Sequence, residues 1–352
     1  MSRRFRFLAQ AITIVLFVGG INTESSAQSQ VVEVKVHSPA LEHNLLGDTA
    51  DQDVAIYLPA SYHGEPQRRF ATIYFLHGFA DTPVKGVAEI LQEYMDKLIA
   101  AHAVEPMIVV VPNGLNRYFG SFYTNSDVTG NWEDYVVRDV VGYVDVHYRT
   151  LPSAESRGIS GHSMGGYGAL MLGFKHPDLF SSVYAMSPCC TVLDADIGPS
   201  SPIWSHTQQI NSAAELPDVL RREFLLAVAI AMDAAFAPDP QKPPMLGDPP
   251  FHRQGQQQVP DPVVLSKFQQ KIVVNAIPLL LPEISKLKGI YIDYGAEDYF
   301  SHIPPGARAV SKQLALSGVP HVLEVYEGDH GNHVRERVET RVLPWFSKQL
   351  RH

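Results

Sequence analysis

Residues 158–170 read GISGHSMGGYGAL, and the fold turns on how this stretch is read. Inside it lies Gly161-His162-Ser163-Met164-Gly165, a G-x-S-x-G pattern with a strand-like run before it and a helix-like run after it. A strand that turns abruptly into a helix holds the corner residue in a strained backbone conformation and lifts its side chain above the sheet edge. Gly161 and Gly165 remove Cβ atoms that would collide with neighbouring backbone, and Gly166 adds clearance. The helix that follows aims its first N–H groups, and the positive end of its dipole, at any anion formed beside Ser163. The context predicts a nucleophile elbow with Ser163 at its apex rather than an ordinary glycine-rich turn.

Outward from the elbow, apolar runs alternate with helical spacing. Runs at 71–76 and 107–111 are short and continuous and end in His77-Gly78 and Pro112-Asn113-Gly114, as suits central strands covered on both faces. Helical spacing over 87–101 lies between them, and over 132–148 it precedes the elbow strand. Strands are expected at 182–186, 289–294 and 321–326, with helices at 307–317 and 334–350. Residues 31–36 and 53–58 alternate polar with apolar, as half-buried antiparallel edge strands do. Such alternation predicts an α/β chain with a mostly parallel central sheet and helices on both faces.

Residues 191–286, after the sixth strand, break the alternation. They hold an Ala-rich helical run at 224–236, then eight prolines between Pro238 and Pro262. Proline at that density predicts an extended loop. The segment reads either as a cap that contributes to a substrate pocket or as a surface insertion without contact to substrate.

With 352 residues, 45% hydrophobic and 18% charged, the chain can bury a full core, and one large domain is expected over 28–352. A net charge of −9 without a basic, aromatic-studded cluster argues against nucleic acid as a partner. Arg3, Arg4 and Arg6 precede an apolar run at 7–18, and Ser25-Ser26-Ala27 supplies small residues for cleavage. Residues 1–27 therefore read as a signal peptide and the mature protein as secreted or periplasmic, without stable membrane insertion after processing; an uncleaved anchor is the alternative. Cys189 and Cys190 are the only cysteines. Being adjacent, they cannot close a loop, and they read as two small buried side chains or, alternatively, as a redox pair.

GHSMGGYGAL, FLHGF (75–79), NWEDYVVRDVVGYVDVHYRT (131–150), YIDYGAEDYF (291–300) and YEGDH (326–330) together resemble the putative-esterase family of α/β-hydrolases, over residues 55–346. That family includes esterase D, feruloyl esterase modules, enterochelin esterases and antigen 85 mycolyltransferases. The resemblance implies an α/β-hydrolase fold and a serine carboxylesterase acting on a small-molecule, glycan or lipid ester. An acyltransferase of the mycolyltransferase type is the main alternative, and a non-catalytic binding protein on the same fold is another.

A serine hydroxyl needs a base within hydrogen-bond reach, and the base needs an orienting carboxylate. In this fold both follow the serine in the chain. Asp298, Glu297 and Asp293 are the candidate acids, and the resemblance favours Asp298. It likewise favours His330 as base over His333 and His162. Met164 N–H, at the start of the helix, is one donor for the oxyanion, and by resemblance Phe79 N–H is the other. Asn113, Tyr123, Trp132 and Glu133 are expected to line or support the pocket, with a purely structural role for Trp132 and Glu133 equally open. No H-E-x-x-H, Cys-rich ligand set or nucleotide-type glycine loop accompanies these residues, so neither metal nor cofactor is implied.

Overall fold

The computed structural model describes residues 28–81 and 83–352, so the expected signal peptide lies outside the described residues. Eight strands form the central sheet: β1 (Gln30–His37), β2 (Asp51–Leu58), β3 (Thr72–Leu76), β4 (Ile108–Pro112), β5 (Arg157–His162), β6 (Ser182–Met186), β7 (Gly289–Gly295) and β8 (Val322–Tyr326). They lie in the order β1-β2-β4-β3-β5-β6-β7-β8. β2 runs antiparallel to both its neighbours; every other pairing is parallel. The mostly parallel sheet expected from the sequence is the one observed, and it is open.

Helices cover both faces. α1 (Val84–Ala100) turns Val84, Val87, Ala88, Leu91 and Met95 inward, the spacing of one helical face. It packs over Ala55 and Tyr57 of β2 in the smaller of two core clusters. For that reason β2 is not the half-exposed edge its alternation suggested. It is second in the sheet, and Val54, Ala55, Ile56 and Tyr57 are fully buried. The larger cluster, on the opposite face, includes the elbow helix α2 (Met164–Lys175).

Between β6 and β7 the chain makes a long excursion. Its central element, α3 (Phe224–Phe236), buries every residue from Leu226 onward. A helix apolar on all sides has to be enclosed, and α3 joins the larger core cluster. The proline-rich part departs from the expected extended loop. Phe251–Gln254 and Gln257–Pro260 pair as an antiparallel hairpin, and Pro262 opens α4 (Pro262–Lys271) behind Asp261, whose carboxylate accepts the Val263 and Val264 N–H groups. Proline in the first helical turn costs no hydrogen bond, so these prolines start structure as well as interrupt it.

At the far end, Arg337 ties three strands to the C-terminal helices. Its Nε and Nη2 donate to Asp293 Oδ2 (2.9 and 2.7 Å), and Nη1 and Nη2 donate to Glu324 (2.8 Å each). Tyr184 O–H adds a third donor to Asp293 at 2.7 Å. Asp293 is 0% and Arg337 5% exposed, so removing one partner strands a buried charge. Arg337→Met is expected to cost about 3–5 kcal/mol of unfolding free energy, read as a lower denaturant midpoint. An unchanged midpoint would show that the network carries no stability.

Candidate active site

Ser163 sits between β5 and α2 at φ 57°, ψ −115°, in the half of conformational space that side chains other than glycine seldom enter. Neighbouring backbone holds it there. Ser163 N–H donates to Met186 O (3.0 Å), and its carbonyl accepts from Tyr167 N–H (3.0 Å) and Cys189 N–H (3.2 Å). Space around the turn is the reason for the flanking glycines: a Cβ on Gly165 would lie 1.9 Å from Leu76 O, and one on Gly161 2.4 Å from the Gly165 carbonyl.

Asp298 and His330 occupy the loops that follow β7 and β8. Nδ1–H of His330 donates to Asp298 Oδ2 at 2.8 Å, while Oδ1 accepts Phe300 N–H at 3.0 Å. The Asp298 side chain is 0% exposed and that of His330 only 7%. With Nδ1 carrying the proton towards Asp298, Nε2 presents its lone pair. The loop itself is built by Asp329, whose Oδ1 accepts the Gly331 and Asn332 N–H groups. Around the His330 ring stand Phe300 (4.7 Å between centroids), Tyr299 (5.6 Å) and His162 (4.6 Å).

The rival acids and bases are occupied elsewhere. Asp293 is held by Arg337 and Tyr184. Glu297 is exposed. His333 begins the helix Val334–Arg337, with Nδ1 on Glu336 at 2.7 Å and 40% of its side chain exposed. His162 donates from Nε2 to the His330 carbonyl (2.8 Å), and burial, then the neighbouring His330, pushes its pKa down to about 3. It braces the His330 loop as a neutral imidazole.

On the opposite side, the loop after β3 is pinned by His77, which the sequence reading had not singled out. His77 is buried, donates from Nδ1 to Gly78 O (2.9 Å) and accepts Gly114 N–H on Nε2 (2.8 Å). Burial lowers its pKa and keeps it neutral. Gly78 N–H is taken by Asp81 and Ala80 N–H by the Phe119 carbonyl, which fixes the intervening Phe79. Met164 opens α2, where a first-turn N–H has no partner inside the helix. Gly120 packs against both: a Cβ there would lie 2.4 Å from the Phe79 ring and 2.6 Å from Met164 Sδ.

The four pocket candidates turn out to support rather than line. Tyr123 is 1% exposed and donates to His77 O at 3.0 Å; Trp132 is 0% exposed and donates from Nε1 to Thr129 O at 2.7 Å. Asn113 is spent on Gln52 and on both backbone groups of Leu115. Glu133 receives Lys175 (2.7 Å) and His176 (3.0 Å); burial would raise its pKa, but these two partners bring it down to about 2. Polar residues at strand ends look like pocket lining in a sequence, and here packing turns them inward. A side chain missed from sequence, Phe224 at the start of α3, stands at the rim instead. Its ring lies 5.5 Å from that of Phe79 and 5.5 Å from that of Phe300, and Phe300 meets His330 edge-on.

The chain is similar in fold to a ferulic acid esterase (TM-score 0.64, 20% identity, 92% of this chain and 99% of that one). It is likewise similar to an S-formylglutathione hydrolase from Agrobacterium tumefaciens (TM-score 0.57, 17% identity, 94% and 99%). In sequence it is 28% identical over 137 residues to an endo-1,4-beta-xylanase/feruloyl esterase of Xylanibacter ruminicola, covering 37% of this chain and 18% of that protein. An esterase of Mycobacterium tuberculosis is 26% identical over 144 residues, 38% of this chain and 28% of the relative. The chain thus spans less than a third of the length of these curated relatives. The family model described as Putative esterase matches residues 49–335, from just before β2 through the His330 loop, and the chain belongs to that family.

Proposed function

We propose that this chain is an exported serine carboxylesterase that works through an acyl-enzyme on Ser163. The observation that carries the reading is the buried 2.8 Å bond between Asp298 and His330, on the same sheet edge as the strained serine. Nε2 of His330 takes the hydroxyl proton as Oγ attacks the ester carbonyl. Phe79 and Met164 N–H groups receive the charge that develops on the carbonyl oxygen. His330 then gives the proton to the departing alcohol, and water repeats the sequence to free the acid. Export rests on the basic, apolar and small-residue order of residues 1–27; among the described residues no helix is long and apolar enough to cross a membrane. The excursion between β6 and β7 acts as a cap, because it brings Phe224 over the site.

Substrate preference follows from the rings of Phe79, Phe224 and Phe300. Flat aromatic surfaces favour a planar partner by about 0.5–1.5 kcal/mol per ring pair. Esters of aromatic acids, the class named for the ferulic acid esterases this fold resembles, are therefore the expected substrates. A fluorophosphonate probe should add to Ser163 and to no other residue, and an arylpropenoyl ester such as methyl ferulate should be turned over faster than a simple acetyl ester. Failure of the probe to label Ser163 would sink the acyl-enzyme; an acetyl ester preferred over the aromatic one would sink the aromatic slot.

A further inference from the structure

A second nucleophile stands beside the serine. Cys189 follows β6 in Ser187-Pro188-Cys189-Cys190, and its N–H is bonded to the Ser163 carbonyl at 3.2 Å. Its thiol lies against the imidazole of His302, the residue that opens α5 (Ile303–Leu316). His302 is 2% exposed and donates from Nδ1 to Asp196 Oδ1 at 2.7 Å. Asp196 also accepts the backbone N–H groups of Ser301 and His302, each at 3.0 Å. Burial would raise the Asp196 pKa, but these donors hold it below the usual carboxylate range. With Nδ1 committed to Asp196, the ring has only Nε2 left to exchange a proton, and that atom is buried without a conventional hydrogen-bond partner.

An unpartnered buried imidazole nitrogen is costly unless it has a task. Here it faces a thiol, and a thiol can hand it a proton. The sequence Cys189, His302, Asp196 thus repeats the logic of Ser163, His330, Asp298 with sulfur in place of oxygen. Ester hydrolysis at Ser163 uses none of the three.

We propose that Cys189, His302 and Asp196 form a thiol-based nucleophilic site beside Ser163, that it takes small soft electrophiles such as alkyl halides, and that an adduct there closes the ester site. In the step, the Cys189 sulfur attacks the carbon bearing the halide. The S–C bond forms as the C–halide bond breaks, the halide leaves with the electron pair, and the sulfur's former proton stays on His302 Nε2 opposite Asp196. Cys189 is 6% exposed and its backbone is bonded to the Ser163 carbonyl, so a new substituent on its sulfur crowds the serine turn. Closure rests on the Ser163 reading; capture does not.

Of the other titratable groups around the thiol, Cys190 shares a proton contact with it and its own pKa is pushed well up, by burial first and then by Cys189. The Cys190 thiol points to Met232 Sδ at 3.7 Å, and the Tyr167 hydroxyl donates to Lys271 O at 2.7 Å. The His330 imidazole also favours the thiolate, more weakly than His302 does. Against the penalty of burial, Cys190, then His302 and His330, bring the Cys189 pKa down to about 6, and Asp196 and Cys189 lift that of His302 to about 9 despite its own burial.

Iodoacetamide on the intact processed protein, followed by peptide mass mapping and an ester assay, tests both halves. One carboxamidomethyl group is expected on Cys189 and none on Cys190. Its rate should level off near pH 7, instead of climbing towards about pH 9 as for an ordinary thiol. Ester turnover should fall in step with labelling. His302→Gln should slow labelling at neutral pH by about tenfold or more, and Asp196→Asn should act in the same direction should the first variant fold poorly. Absence of label on Cys189 in the folded protein, or the pH profile of a free thiol, overturns capture. Complete labelling with full ester turnover overturns closure and leaves the Ser163 mechanism standing. A wild-type protein that is labelled as expected but never hydrolyses esters overturns the Ser163 reading and not the thiol site.

Discussion

Ser163→Ala is expected to lower ester turnover by about four orders of magnitude or more, leaving only what the oxyanion donors and binding supply. The fold should survive, because the elbow is held by backbone. Ser163 N–H to Met186 O and Ser163 O to Tyr167 N–H and Cys189 N–H do not involve the hydroxyl. A single methyl-sized side chain occupies the same strained position with the same clearance from Gly161 and Gly165. Unfolding curves of variant and wild type should therefore nearly coincide while activity disappears. Turnover near the wild-type level in a clean preparation would remove Ser163 from the mechanism, and with it the acyl-enzyme.

His330→Ala is expected to be as damaging as Ser163→Ala, and the double variant little worse than either, since a nucleophile without its base and a base without its nucleophile fail at the same step. His333→Ala gives the contrast. Its ring is bonded to Glu336 and partly in solvent at the start of a short helix, so no more than about a tenfold loss is expected, through a small shift of the neighbouring His330 loop. The two histidines lie three residues apart, yet only one is boxed by Phe300, Tyr299 and His162 and bonded to a buried carboxylate. Assay of both variants on one activated ester decides between them. A dead His333→Ala enzyme beside an active His330→Ala enzyme would move the base to His333.

Much of this was legible because the informative signals are local. The elbow is written in five consecutive residues, and the central strands in apolar runs that end at glycine or proline. The choice among Asp293, Glu297 and Asp298 was not local. Three carboxylates fall within six residues, and what separates them is distant: Arg337 claims Asp293 from 44 positions away, and His330 claims Asp298 from 32. Distance also hid Cys189, His302 and Asp196, since the bond from His302 to Asp196 spans 106 positions. Whether Tyr123 and Trp132 line the pocket or support it was open for another reason. An aromatic residue near a strand end suits a pocket wall and a core equally well, and only packing distinguishes them. Phe224 is the reverse case, an apolar residue in an apolar helix that the fold leaves at the rim.

The excursion between β6 and β7 begins and ends on a closed zipper. Ser187 N–H donates to Asp293 O at 2.7 Å just after β6, and Lys288 N–H donates to Ser181 O at 2.7 Å just before β7. The chain from 188 to 287 leaves and rejoins the sheet at those two bonds, and loop length weighs only logarithmically on closure. For a lineage under changing selection, that makes the segment exchangeable. Its loops can be lengthened or shortened around the core helix α3 while the sheet keeps Ser163, Asp298 and His330 in register. Phe224, Cys189 and Asp196 lie inside it, and His302 lies outside. Descent with such exchanges would therefore change what the pocket admits, and whether it carries a thiol partner for His302, far more readily than it would change the bond the serine breaks.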